Sequence, residues 1–208
     1  RPLDSARPLG GFREYRELEV VPSGIKSRAR IRRQCKTGVT IVDLMLPLGY
    51  GQRELVIGDQ KTGKSRFALR VLRTQVMEGA VGIYVLIGKG KSAIRQVIET
   101  LTRMGVRDRT IVVASSADDA AGMIYLTPYA AMTIAEYFRD KGRNVGIILD
   151  DLSTHAKIYR EIALLGKRFP GRNSYPGDIF YAHARLLERA GNFALPQGEA
   201  AINCFPLV

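Results

Sequence analysis

Four short apolar runs alternate with longer amphipathic stretches along most of the chain. The runs lie at 54–57, 81–87, 110–114 and 145–149. Each is apolar at nearly every position, which is typical of a strand covered on both faces. Between them, apolar residues recur at helical spacing over 65–77 and 93–104, and Gly79 and Gly105 are expected to end these helices. The alternation predicts an α/β fold in which a mostly parallel sheet is flanked by helices.

The first part of the chain lacks this alternation. Over roughly the first 35 residues, prolines and glycines interrupt short extended pieces such as 18–21, a pattern typical of an arm or a broken sheet edge. Basic residues then follow between positions 22 and 36 without any acidic one, at Lys26, Arg28, Arg30, Arg32, Arg33 and Lys36. We therefore predict an extended basic arm over 1–36 and a domain over 37–208.

The arginines of this arm alternate, so on a strand Arg28, Arg30 and Arg32 would share one face. Such a face could follow a phosphate backbone, contact an acidic neighbour, or be a solvated edge that discourages strand pairing. No aromatic residues are interleaved with the arginines for base stacking, so we do not expect nucleic acid as a partner.

Composition narrows the class of protein. The 208 residues suit one domain, which can bury a core without disulfides or zinc. Cys35 and Cys204 are far apart in the chain, so a reducing compartment is expected. The apolar runs are shorter than the roughly 18 residues of a spanning helix, and no signal peptide is expected. The net charge of +12 predicts affinity for a polyanion, which could be a nucleotide, nucleic acid, anionic lipid or acidic protein.

The first apolar run is followed by an uninterrupted phosphate-binding-loop motif, Gly-x-x-x-x-Gly-Lys-Ser. Its residues are Gly58, Asp59, Gln60, Lys61, Thr62, Gly63, Lys64 and Ser65. Backbone N–H groups of such a loop surround nucleotide phosphates, the lysine reaches the β- and γ-phosphates, and the serine hydroxyl ligates Mg²⁺. The alternative is a glycine-rich turn whose lysine is solvated. Because the motif stands between a strand and a helix, we predict a site for ATP or ADP.

The last apolar run ends in Asp150 and Asp151, at the sheet edge where ligands of parallel sheets bind. A carboxylate at this place can hold a Mg²⁺-bound water opposite the Ser65 hydroxyl, and we assign this role to Asp150. The alternative is that Asp150 or Asp151 only caps the following helix.

A lysine follows the second apolar run, where a hydrolase of this architecture would have a carboxylate that positions the attacking water. The ammonium of Lys89 has three donors and no acceptor, so it cannot be that base. Lys89 and Lys91 could attract phosphates, or both could be solvated on a surface loop. His155 and His183 are expected to be isolated from each other and structural.

Besides the phosphate-binding loop, distinctive stretches comprise Thr37 and Gly38 with Asp43, and 47–59, 136–140, 147–153, 170–172, 175–178 and 185–190. Together they resemble a known family, the alpha subunits of the rotary proton-translocating ATP synthase. The chain departs from the usual alpha pattern at four positions. Alpha subunits usually have Gln at position 89 and Arg at 91, and Arg-Gln where this chain has Gln60 and Lys61.

The resemblance implies a RecA-like nucleotide-binding domain over 37–208, which is expected to be incomplete at its C-terminal end. It further implies a regulatory subunit that binds Mg-ATP without hydrolysing it, with Lys64 on the phosphates and Ser65 and Asp150 on the Mg²⁺ side. Such a subunit would alternate with beta-type subunits in a ring around a central stalk subunit. It would contribute to ATP synthesis coupled to proton transport, on the cytoplasmic side of an energy-coupling membrane and peripheral to it.

Two other functions remain as alternatives. A hexameric RecA-like helicase or translocase of the Rho type would suit the net charge and the basic arm, but it must hydrolyse ATP and needs an acid where Lys89 stands. A secretion-type rotary ATPase usually lacks the Gly-Asp-x-x-Thr pattern found at 58–62.

Overall fold

A five-stranded sheet forms the centre of the structure, which is a computed structural model that describes residue 11 and residues 14–169 and 171–208. The strands of this sheet are β3 (Val81–Lys89), β4 (Thr110–Ser116), β5 (Val145–Asp150), β6 (Gly191–Leu195) and β7 (Gly198–Pro206), and β1 (Gln34–Cys35) and β2 (Leu48–Gly49) form a small antiparallel pair. Positions 1–10, 12 and 13 of the predicted arm lie outside the described residues, as does Pro170 of the stretch 170–172.

Six α-helices accompany the strands within the described residues. They are α1 (Thr40–Met45), α2 (Lys64–Met77), α3 (Lys91–Arg103), α4 (Ala121–Asp140), α5 (Leu152–Leu165) and α6 (Ile179–Glu188). The two helices predicted from periodicity correspond to α2 and α3. Both end just before a glycine with positive φ, Gly79 at 97° and Gly105 at 70°, a conformation that glycine adopts without the steric cost of a Cβ atom.

The order of strands in the sheet is β4-β3-β5-β7-β6. β3 pairs in parallel with β4 and β5, and β5 pairs in parallel with β7, whereas β6 is antiparallel to β7. The prediction of a mostly parallel sheet flanked by helices is therefore confirmed. In the register between β3 and β5, Leu86 lies opposite Asp150, so both strands end at the same edge.

Helices cover both faces of the sheet, which explains why its strands are almost entirely apolar. Ile83, Val85 and Ile87 of β3 are fully buried in a cluster with residues of α4, α5 and α6. Tyr84 and Leu86 alternate with them and pack in a second cluster with residues of α2 and α3. Side chains of successive strand residues point to opposite faces, so each face of β3 needs its own apolar set.

The prediction that 54–57 forms a regular strand covered on both faces is wrong. The segment runs beside the last part of β7, where the N–H groups of Glu54 and Val56 donate to Cys204 and Pro206, each at 2.9 Å. It forms only isolated parallel bridges there, and none of the described strands pairs with its other edge. Consequently Leu55 is 49% and Ile57 72% exposed.

Basic residues of the N-terminal segment pack against the domain. Residues 28–32 form no regular strand; Arg28 makes an isolated bridge with Phe193 of β6. Its guanidinium donates to the carbonyl oxygens of Ala190, at 3.0 Å, and Glu188. The Arg33 guanidinium lies 4.3 Å from the centre of the Tyr50 ring. None of the helices within the described residues is long and apolar enough to cross a membrane.

Candidate nucleotide-binding site

The phosphate-binding-loop motif connects the segment beside β7 to α2. Gly63 precedes α2 with φ 96°, in the left-handed region that favours glycine. A Cβ atom at Gly58 would lie 2.8 Å from the Thr62 hydroxyl oxygen, so the loop closes tightly at that point. Thr62 Oγ1 donates to the carbonyl oxygen of Asp59 at 2.8 Å, which holds the turn together. The sequence thus forms a tight loop at a helix N-terminus, where backbone N–H groups attract anions.

The Lys64 side chain folds back across this loop. Its ammonium donates to the carbonyl oxygens of Gly58 and Asp59, the latter at 2.9 Å. The hydrogen bonds hold a positive charge at the rim of the loop.

Ser65 and Asp150 contact each other although 85 positions separate them. Ser65 Oγ donates to Asp150 Oδ2 at 3.1 Å, and the hydroxyl of Tyr84 donates to the same oxygen at 2.8 Å. Asp150 is buried at the end of β5, next to β3. Burial, and the charge of Asp150 beside it, raise the pKa of Tyr84, so its hydroxyl stays protonated and remains a donor.

Lys89 contacts both Asp150 and Asp151. Its ammonium lies 2.8 Å from Asp150 Oδ1 and 2.8 Å from Asp151 Oδ2. Burial opposes the charged form of Lys89, but hydrogen bonds and attraction to the two carboxylates outweigh it and raise the pKa of this lysine. The alternative of two solvated lysines is therefore wrong for Lys89. It fits Lys91, whose side chain is 79% exposed and 3.5 Å from the Asp118 carboxylate.

The two aspartates have different structural roles. Asp151 Oδ1 accepts from the backbone N–H of Thr154 at 2.6 Å and so caps α5. Burial works against the charged form of Asp151, but the hydrogen bonds from Lys89 and from the Thr154 N–H lower the pKa of this carboxyl group. The capping alternative thus applies to Asp151, whereas Asp150 faces the phosphate-binding loop.

A cleft of about 630 Å³ opens beside Ser65, Lys89 and Asp150. Side chains of α2 and α3 form most of its wall, among them Leu69, Val97, Thr100 and Arg103. The two residues predicted on the Mg²⁺ side, Ser65 and Asp150, therefore border one open cleft together with Lys89.

Comparison with known proteins identifies the family. The family model for the nucleotide-binding domain of the ATP synthase alpha/beta family matches residues 38–208. The chain belongs to this family. ATP synthase subunit alpha of Clostridium botulinum strain Hall is 42% identical over 207 residues, and the mitochondrial ATP synthase subunit alpha of Dictyostelium citrinum is 45% identical over 211 residues. Each match covers 100% of this chain and 41% of the relative, so the chain spans about two fifths of their length.

The resemblance to alpha subunits, with its P-loop nucleotide-binding fold, is thus confirmed. Several of the stretches that carry it have structural roles. Asp43 accepts hydrogen bonds from the Thr37 N–H, the Thr37 hydroxyl and the Gly38 N–H. Arg189 and Glu136 form a buried ion pair at 2.6 Å. In this chain these residues stabilise the fold through polar contacts.

Besides the ion pairs of Lys89, sequence reasoning missed two features of this ATP synthase family member. The first is Tyr84, which lay hidden in an apolar run; only the pairing of β3 with β5 brings its hydroxyl to Asp150. The second is the contact between the histidines, whose predicted isolation is wrong, since His155 Nδ1 lies 2.9 Å from His183 Nε2. The only sequence signal for the role of Tyr84 was a polar hydroxyl within an otherwise apolar strand. No sequence signal indicated the contact between the histidines.

The oxygen atoms of Ser65 and Asp150 are of the kind that Mg²⁺ prefers, and they lie within 3.1 Å of each other. Within the described part of the chain, no group of three or more His, Cys, Asp or Glu side chains can hold a metal ion. A hydroxyl and a carboxylate at this distance suit an ion that takes further ligands from nucleotide phosphates and water, as Mg²⁺ commonly does.

Proposed function

We propose that this chain is the nucleotide-binding part of an ATP synthase alpha-type subunit that binds ATP or ADP without hydrolysing it. Residues 58–65 would hold the phosphates, with Lys64 on the β- and γ-phosphates. When bound, Mg²⁺ would neutralise phosphate charge, with the Ser65 hydroxyl as a direct ligand and Asp150 acting through a water molecule. The open cleft beside these residues and the tight loop at the start of α2 support this proposal.

One observation carries the non-catalytic assignment, namely the position of Lys89. Hydrolysis needs a group that accepts a hydrogen bond from the attacking water. Lys89 stands at the end of β3 where that group is needed, and its ammonium is already bound to Asp150 and Asp151. Because the ammonium only donates and the two carboxylates are engaged by it, the β3 end offers no free base.

We further propose that residues 37–208 form the nucleotide-binding domain behind a basic arm at 1–36. In the complete assembly the subunit would alternate with beta-type subunits in a ring around a central stalk subunit. Its role there would be regulatory, in ATP synthesis coupled to proton transport, on the cytoplasmic side of the coupling membrane and peripheral to it. The relatives, which are named as ATP synthase alpha subunits, support the assignment to an alpha-type subunit.

The test compares the native chain with Lys64→Ala and Lys89→Glu. Calorimetric titration with ATP and Mg²⁺ is expected to show binding by the native chain and at least about tenfold weaker binding by Lys64→Ala, because the phosphates lose their lysine. Phosphate release at saturating Mg-ATP is expected to stay at background for the native chain and for Lys89→Glu. Lys89→Glu introduces a carboxylate, but the isolated chain still lacks a neighbouring subunit that would supply an arginine. Such an arginine stabilises the charge on the γ-phosphoryl group and contributes on the order of 10³–10⁵ in rate.

Equal ATP binding by native chain and Lys64→Ala would contradict the nucleotide site. A native rate of about one per second or more, lost in Lys64→Ala, would contradict the non-catalytic assignment. That second result would favour a helicase, translocase or secretion-type ATPase instead.

A further inference from the structure

Asp150 has both carboxylate oxygens occupied by donors of this chain. Oδ1 contacts the Lys89 ammonium, and Oδ2 accepts from the hydroxyls of Ser65 and Tyr84. Asp150 is 6% exposed, and the Lys89 side chain is only 25% exposed. These three donors use three of the roughly four acceptor sites of a carboxylate, so a Mg²⁺-bound water that approached Asp150 would have to share Oδ1 with the Lys89 ammonium.

Lys89 is also held from a second side. The same ammonium contacts Asp151 Oδ2 at 2.8 Å, and Asp151 is itself fixed by its hydrogen bond with the Thr154 N–H at the start of α5. A lysine that contacts two partly buried carboxylates loses both ion pairs when it swings away, and it leaves two negative charges uncompensated. Lys89 is therefore a fixed part of the site.

We propose that Lys89 serves as a resident cation of the nucleotide site, so that the site binds ATP or ADP with little dependence on Mg²⁺. This inference rests on the proposed nucleotide binding by residues 58–65. The two aspartates would otherwise repel the nucleotide phosphates, and in a site without this lysine a divalent ion has to offset that repulsion. Here the ammonium neutralises part of the acidic charge before any ligand arrives.

The same charge lowers the affinity for Mg²⁺. An ion held by Ser65 Oγ and by a water on Asp150 would lie beside the carboxylate that already contacts the Lys89 ammonium. Two positive charges at such short range repel each other. Mg²⁺ would still fit the oxygen ligands, but its binding free energy would be less favourable than in a site where the residue at position 89 is uncharged.

The test measures the dissociation constant of ATP with excess Mg²⁺ and with EDTA in the native chain, Lys89→Gln and Lys91→Gln. For the native chain the two constants are expected to agree within about threefold. In Lys89→Gln, Mg²⁺ is expected to tighten binding at least about tenfold more than in the native chain, because the repelling charge is gone. Lys91→Gln removes the same charge from an exposed side chain two residues away and is expected to behave like the native chain.

Native binding that tightens more than about tenfold with Mg²⁺ would overturn the proposal, as would an equal Mg²⁺ effect in native chain and Lys89→Gln. An equal shift in Lys91→Gln would assign the effect to overall charge and overturn it too. If circular dichroism shows that Lys89→Gln is unfolded, the proposal is decided by the native chain alone, from its ATP dissociation constants with Mg²⁺ and with EDTA.

A second measurement separates failure of this proposal from failure of the nucleotide site. Binding of Mn²⁺ to the nucleotide-free chains is followed by electron paramagnetic resonance. Lys89→Gln is expected to bind Mn²⁺ at least about tenfold more tightly than the native chain and Lys91→Gln, whether or not ATP binds. Equal Mn²⁺ affinity in all three chains would overturn the role of Lys89, whereas absent ATP binding with this Mn²⁺ difference would contradict only the nucleotide site.

Discussion

His155 and His183 illustrate how burial changes the chemistry of a single residue. His155 is fully buried on α5, and its Nε2 lies 3.1 Å from the carbonyl oxygen of Tyr125. A carbonyl only accepts, so Nε2 carries the proton and Nδ1 accepts from His183 Nε2. Burial and the neighbouring His183 lower the pKa of His155 to about 4, and burial also lowers the pKa of His183.

We expect the free energy of unfolding to fall as the pH is lowered from about 6.5 to about 4. In the unfolded chain His155 has its ordinary pKa of 6.5, so it takes up a proton at a pH where the folded state resists one. Protons therefore favour the unfolded state in this window, by up to about 3 kcal/mol for His155. Urea denaturation at a series of pH values measures the effect.

The matched variant is His155→Gln, whose amide can replace both hydrogen bonds without titrating. It is expected to show a clearly smaller loss of stability between pH 6.5 and pH 4. Identical pH profiles for the native chain and His155→Gln would contradict the prediction.

At the scale of elements, one arginine joins three parts of the fold. Arg189 follows α6 and is 1% exposed. Its guanidinium contacts both carboxylate oxygens of Glu136 on α4 and donates to the carbonyl oxygen of Leu18 at 2.7 Å. It also donates to the Thr133 hydroxyl at 2.8 Å. The N-terminal segment, α4 and α6 therefore share one buried charge cluster.

We expect Arg189→Gln to destabilise the protein by about 3–5 kcal/mol, because the largely buried Glu136 carboxylate loses its close ion pair. Among the described residues it keeps only the Arg139 guanidinium, 3.9 Å away. The control is Arg168→Gln, which removes an arginine from an ion pair with Asp178 whose side chains are 60% and 50% exposed. That change is expected to cost less than about 1 kcal/mol. Urea denaturation of the three chains measures both values, and equal losses for the two variants would refute the expected role of burial.

The elements that the sequence predicted well are those whose pattern has one physical cause. The near-continuous apolar residues of β3 and β5 follow from cover on both faces, and the spacing in α2 and α3 follows from one buried stripe. The run at 54–57 has the same apolar composition as a central strand, yet it pairs only with β7. The number of strands that pair with this segment depends on the arrangement of the whole sheet. A local sequence pattern carries no information about that arrangement.

For the whole molecule, the net charge of +12 is the feature that favours binding of nucleic acid. The structure assigns part of the basic arm to internal contacts. Arg28 donates to backbone carbonyls, Arg33 stacks on Tyr50, and the Lys36 ammonium lies 3.2 Å from the Glu78 carboxylate. Besides these three, Lys26, Arg30 and Arg32 are exposed, so the arm has about three further charges to place against a phosphate backbone.

We therefore expect weak binding to single-stranded RNA or DNA that is lost at moderate salt. If about three arm charges contact phosphates, the logarithm of affinity should fall with the logarithm of salt concentration with a slope of about −2 or shallower. Fluorescence anisotropy with a labelled oligonucleotide measures the slope, and Arg30→Gln with Arg32→Gln is expected to weaken what binding remains. Submicromolar binding at physiological salt would instead favour the helicase alternative.

The sequence by itself determined the α/β class, the phosphate-binding loop and the family, because these depend on residues that are neighbours in the chain or recur at a fixed period. It also determined that Lys89 cannot act as a base, since that follows from the chemistry of an ammonium group. Only the tertiary structure decided what Lys89 contacts. The parallel pairing of β3 with β5 places residues about 60 positions apart at one sheet edge, and there Lys89 binds Asp150 and Asp151. Partners of this kind depend on strand order and register, which are set by the packing of the whole domain.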